Sequence, residues 1–138
     1  MKTFVIGMAL GFAALSARAE FVVIVNPKNP AASMSAEQVS QVFLGRSTSF
    51  PGGGSAVPVD QKEGAALRDE FYTKVADKNP GQVKAFWAKQ MFSGKGQPPK
   101  ELASSAEVKK AVAADPNAIG YIEKGALDGT VKSVLAVQ

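Results

Sequence analysis

The stretch "SFPGGGSAVPVDQKEGAALRDEF" (Ser49–Phe71) holds a glycine cluster, a short apolar run and a helix start, in that order. The order decides the fold class. A nucleotide-binding P-loop leads from a strand through Gly-x-x-x-x-Gly-Lys-Ser/Thr into a helix, and the dinucleotide fingerprint also joins strand to helix. Here Gly52–Gly54 come before the strand "AVPVD" (Ala56–Asp60), and no Lys-Ser/Thr pair follows. The glycines therefore read as a turn between a helix and a strand. Pro58 cannot donate to a ladder, which points to an edge or irregular position within that strand.

The second half, "VDQKEGAALRDEF", passes from a strand end into a helix start. Leu67, Phe71 and Val75 recur every four residues and predict a helix from near Gly64. Unpaired amides and the helix dipole favour an anion at such a start, and open α/β sheets hold ligands at the carboxyl ends of their strands. The candidate ligand-binding residues are Asp60, Gln61, Lys62, Glu63, Gly64, Ala65 and Arg68, with Lys62 and Arg68 as auxiliary cations. A competing reading is purely structural. Asp60, Glu63, Asp69 and Glu70 oppose an anion, and Arg68 then serves to pair Asp60.

Outward from this stretch, helices alternate with strands. "FVVIV" (Phe21–Val25) is a continuous apolar run, as expected of a strand covered on both faces in a parallel sheet. "SAEQVSQVFLG" carries a Ser35/Gln38 capping box, an apolar face of Val39, Val42 and Phe43, and Gly45 at the C-terminal position. Asn79 followed by Pro80 opens another helix, with Val83, Phe86, Trp87 and Met91 on its apolar side. Ser104 with Glu107 predicts a further capping box ahead of Val108, Ala111 and Val112. "AIGYI" (Ala118–Ile122) and "VKSVLAV" (Val131–Val137) read as the last strands, and Ser93–Glu101 as a loop. Trp87 with Phe86, Met91 and Phe92 offers either a stacking platform or, as helical spacing favours, core packing. Tyr121 is either a ligand hydroxyl or an ordinary strand residue, and Gly120 signals close backbone approach. The pattern gives an α/β domain with a mainly parallel sheet of four or five strands flanked by helices.

Composition narrows the chemistry. The chain has 138 residues, no cysteine and no histidine. Thiol nucleophiles, Ser-His-Asp triads and the usual zinc ligands are excluded, so no cofactor and no enzymatic activity are expected. Lys2, the apolar Phe4–Leu15 and "SARA" before Glu20 have the form of an export signal cleaved after Ala19. Residues 1–19 are thus expected to be a signal peptide and 20–138 a single domain, periplasmic or secreted. Without Lys2 and Arg18 the net charge falls from +4 to 14 − 12 = +2. No basic tract remains, so nucleic acid is not an expected partner.

"VIVNPKNP", "MSAEQVSQVFLGR", "VPVDQKEGAALRDEF", "FWAKQMFSGKGQPP" and "DPNAIGYIEKG" together resemble, in order, the phosphate-binding proteins of ABC importers. The resemblance covers nearly the whole chain after residue 19. It implies a single periplasmic-binding-protein-type lobe of a family whose members close two α/β lobes on phosphate. A phosphate-like anion is the implied ligand. A homodimer completing the cleft, or a membrane transporter or sensor, is the implied partner. The alternative is a lobe that docks an envelope partner without taking a small ligand. In family members a Ser-Gly-Thr at the helix start holds phosphate. Ala65, Ala66 and Leu67 stand in that place here, and Asp60 or Gln61 where an arginine is usual. Each lost bond to a charged ligand removes about 1.5–3 kcal/mol.

Overall fold

The computed structural model describes residues 20–138, which form a five-stranded sheet with helices on both faces. The elements are β1 (Phe21–Val25), α1 (Ala36–Phe43), β2 (Val57–Gln61), α2 (Ala66–Ala76), α3 (Pro80–Phe92), β3 (Lys100–Leu102), α4 (Ser105–Ala114), β4 (Ala118–Glu123) and β5 (Lys132–Val137), with one 3-10 turn at Lys124–Ala126. The expected export segment lies outside the described residues.

The strand order is β3-β2-β4-β1-β5. β2 pairs in parallel with β3 and β4, whereas β1 is antiparallel to both β4 and β5. Four strands therefore run one way and β1 runs against them. The expected α/β lobe stands, and the parallel placement of Phe21–Val25 is corrected. Its continuous apolar run reports that both faces are covered, which all five residues satisfy, and says nothing of direction.

The two faces of the sheet are filled differently. On one, Phe21, Phe43, Phe71 and Tyr121 pack edge to face or stacked, the Phe71 and Tyr121 rings lying parallel with centroids 3.9 Å apart. On the other, α4 lays Val108 and Val112 against Val22, Ile24, Val59 and Ile122. A Cβ at Gly120 would come within 2.5 Å of Val108 Cγ1 and 3.1 Å of Val59 Cγ2. Absence of a side chain is what lets α4 sit this close to β4, the close approach the strand glycine signalled.

Local signals behave as their chemistry requires. Ser35 and Asn79 form complete capping boxes with Gln38 and Gln82. Ser104 accepts from the Glu107 amide, but the Glu107 carboxylate reaches back to the Ala103 amide, so this box is displaced by one residue. The Gly52–Gly54 turn lies between bridged Ser49 and Ser55 and joins α1 to β2. At Pro58 one side of β2 is open, because β3 begins only opposite Val59. The loop expected over Ser93–Glu101 ends at Pro99, since Lys100–Leu102 form β3. A strand of three mostly exposed residues has no hydrophobic alternation to reveal it. Trp87 is core, 5 % exposed, while Met91 and Phe92 are not, at 52 % and 96 %.

Candidate functional site

The carboxyl end of β2 delivers Asp60 and Gln61 into the interior. Asp60, 1 % exposed, accepts hydrogen bonds from the Tyr72 hydroxyl at 2.5 Å, from the Tyr121 hydroxyl and from the Gln61 amide at 2.8 Å. Arg68 Nη1 stands 3.8 Å from Asp60 Oδ2, the oxygen that also takes the Tyr72 hydroxyl. Burial raises the Asp60 pKa, although both tyrosine bonds and the Arg68 charge pull it down. Burial and the neighbouring Asp60 charge push both phenols up, which keeps their protons on oxygen and pointed at the carboxylate. The Gln61 amide group donates to Ser105 Oγ at 3.0 Å and to the Tyr121 carbonyl at 3.2 Å. Both residues belonged to the expected ligand set. The structure turns their side chains inward onto protein partners.

One residue further, the environment changes. Lys62, Glu63 and Gly64 are exposed, and Gly64 takes φ = 94°, the left-handed conformation that turns the chain into α2. Ala65 is the N-cap of α2 and supplies no side-chain hydrogen bond. Among the described residues, no partner receives the amides of Ala66, Leu67 and Arg68, the first three of the helix. Asp69 is the first residue to close a helical bond, to the Ala65 carbonyl at 3.2 Å.

Arg68 links the two environments. Its Nη1 donates to the Gln61 carbonyl at 3.0 Å and pairs with Glu101 Oε2 at 3.1 Å, and its guanidinium lies over the Tyr72 ring. Burial opposes its charge, but the Asp60 and Glu101 carboxylates outweigh that and its pKa is raised. Glu101 Oε1 also accepts from the Glu63 amide at 3.0 Å. One side chain of β3 thus rests a carboxylate between a backbone donor of the turn and a guanidinium. Sequence reading missed Glu101, which lies 38 positions from Glu63 and in the segment read as loop. It also missed Tyr72, whose place beside Phe71 on the α2 core face was the available signal. Of the two roles open to Tyr121, ligand hydroxyl or strand residue, it is a buried strand residue whose hydroxyl serves Asp60.

Beside this corner a cavity of about 270 Å³ opens between α2, α3 and Pro98. Tyr72, Val83, Trp87 and Met91 wall it, and Arg68 and Glu101 stand at its polar end. Among the described residues there is no cluster of metal-ligating side chains.

This architecture has counterparts. A protein described as a phosphate ABC transporter substrate-binding protein from Clostridium perfringens, solved with bound phosphate, is 25 % identical, with a TM-score of 0.65 over 84 % of this chain and 45 % of its own. An ABC-type phosphate transport receptor from Vibrio cholerae is 18 % identical, with a TM-score of 0.66 over 84 % and 46 %. PstS from Borrelia burgdorferi is 14 % identical with a TM-score of 0.54 over 78 % and 42 %, a likeness of fold alone. The chain spans about half the length of the first two of these proteins. No curated protein matches it. The model of the PBP superfamily domain matches residues 11–134, most of the sequence, and the chain belongs to that family.

Proposed function

We propose that the protein is an exported solute-binding module that takes phosphate or another small anion at the Lys62–Arg68 turn. The observation that carries this reading is the set of three unpaired amides at Ala66–Arg68 above an uncapped helix start. Such donors, aligned with the helix dipole, stabilise negative charge. Glu101 lends support, since a carboxylate already rests on the adjoining donors, Arg68 and the Glu63 amide. The phosphate in the Clostridium perfringens relative makes that anion the first to try.

Capture is expected to be weak. The hydroxyls of the family's Ser-Gly-Thr are replaced by Ala65, Ala66 and Leu67, and the corner faces water on its open side, where screening reduces each contact. Asp60 and Gln61 act as scaffold in this reading. Gly64 and the Ala66–Arg68 amides contact the anion, with Lys62 and Arg68 adding positive charge, while the Ala65 amide closes on the Lys62 carbonyl at 3.1 Å and only shapes the turn. The role is binding rather than catalysis, in the periplasm or outside the cell after removal of residues 1–19.

Calorimetry of the purified protein with phosphate, sulfate and acetate tests the proposal. Heat of binding at millimolar anion, reduced by Arg68→Ala, supports it. Absence of heat with all three ions sinks it. In that case the lobe would serve as a docking module for an envelope transporter or sensor, which the carboxylates around the corner favour. Such docking should survive Lys62→Ala, and its test is co-purification from envelope extracts.

A further inference from the structure

Helix α3 leaves an apolar face in solvent. Val83 and Trp87 are its buried residues, while Ala85, Ala88, Met91 and Phe92 on other sides of the helix are exposed. Phe92 is 96 % exposed and Met91 52 %, in a chain whose other phenylalanines past residue 20 are mostly core. Such a patch on a soluble domain marks a contact surface. The cavity walled by Val83, Trp87 and Met91 adjoins it, and at about 270 Å³ it is roomy enough for an aromatic side chain.

Charge identifies the occupant. The cavity is edged by the carboxylates of Glu63, Asp69 and Glu101 against the cations Arg68 and Lys84, an excess of one negative charge. From Ala88 to Lys100, around Phe92, the sequence carries Lys89, Lys95 and Lys100 and no acid. The protein therefore displays an aromatic knob set among lysines on α3 and, between α2 and α3, an apolar cavity with a net negative rim. A two-fold contact satisfies both at once, since each copy presents the same knob and the same cavity to the other.

We infer that a second copy of this chain covers α3, the two helices packing antiparallel. Phe92 of each copy enters the partner's cavity near Pro80 and Val83. Ala85 of one copy faces Ala88 of the other, where small side chains allow the helices to approach closely. Lys89 and Lys95 approach the partner's Asp69 and Glu63. The contact stands independently of anion capture. It also closes the cavity beside Arg68 with a residue from the partner.

Sedimentation equilibrium of the purified protein over micromolar to millimolar concentrations tests this. A reversible dimer is expected, and Phe92→Asp should weaken it by about tenfold or more, as for a central aromatic anchor. At concentrations where both proteins are monomeric its thermal melt should match that of the unaltered protein, because the ring contributes nothing to the monomer core. Lys89→Glu should weaken the dimer as well, and adding Asp69→Lys should restore it. A monomer throughout, or a dimer indifferent to Phe92→Asp, overturns the inference. So does a monomer that binds phosphatidylglycerol vesicles through Phe92, which would assign the face to a bilayer.

Discussion

Asp60 and Gln61 adjoin Lys62–Arg68 in sequence, yet the two stretches treat their polar groups in opposite ways. The Asp60 carboxylate is wrapped by two phenols, a backbone amide and a guanidinium, and Gln61 spends its side-chain donors on Ser105 and the Tyr121 carbonyl. A few residues on, Ala65 caps nothing and, among the described residues, three amides in a row lack partners. Place in the fold explains the difference. A side-chain polar group removed from water must be bonded within the protein, whereas the first amides of a helix have no carbonyl one turn before them and are left for solvent or a ligand. The saturated end fixes where β2 stops and α2 begins, and the unsaturated end keeps donors available.

Breaking the saturated side should have the largest effect. Asp60→Ala strands two buried hydroxyls and leaves Arg68 short of a partner, and is expected to cost about 3–5 kcal/mol in urea denaturation. Asp60→Asn isolates the charge itself. Because the folded pKa of Asp60 is raised above the ordinary 3.8, chiefly by burial, the folded state holds its proton more tightly than the unfolded chain. The resulting stabilisation is complete below 3.8 and is lost as pH rises through the folded pKa. Asp128 has the opposite sign. Hydrogen bonds from Lys109 and Thr130 lower its pKa, so its contribution is present at neutral pH and lost in acid. Subtracting the Asp60→Asn profile from that of the unaltered protein should leave a difference that declines with rising pH. A flat difference would mean that Asp60 is not the group responsible.

The unsaturated side should respond in affinity more than in stability. Glu101→Gln removes the carboxylate resting between Arg68 and the Glu63 amide, and should tighten phosphate binding roughly five-fold, about 1 kcal/mol at a partly exposed site. Its stability cost should stay within about 1 kcal/mol, as for surface ion pairs. The smallest change sharpens the contrast most. Ala65→Ser supplies the missing cap and should stabilise the protein by about 0.5–1 kcal/mol while weakening the anion, which then competes with the new hydroxyl for the same amides.

Much of this was legible in the sequence because it depends on local chemistry. Capping residues at Ser35, Asn79 and Ser104 mark helix starts, Gly45 a helix end, and Gly120 a place where a helix presses on a strand. What escaped depends on partners distant along the chain. The direction of β1 is set by its neighbours β4 and β5, and an apolar run is the same read either way. β3 has too little buried surface to leave a pattern. The anion-facing set was read with Asp60 and Gln61 included, since nothing near them in sequence announces Tyr121, 61 residues away, or Ser105. Glu101 went unread for the same reason. Phe92 kept helical spacing while pointing away from the core, which periodicity alone does not reveal.

Amide spectra of the isotopically labelled protein during a phosphate titration test the central claim most directly. Saturable shifts are expected at Gly64, Ala66, Leu67 and Arg68, with Gln61 and Tyr121 nearly still. Shifts spread evenly over the lysine-bearing surface, or none at these four amides at tens of millimolar phosphate, would contradict it.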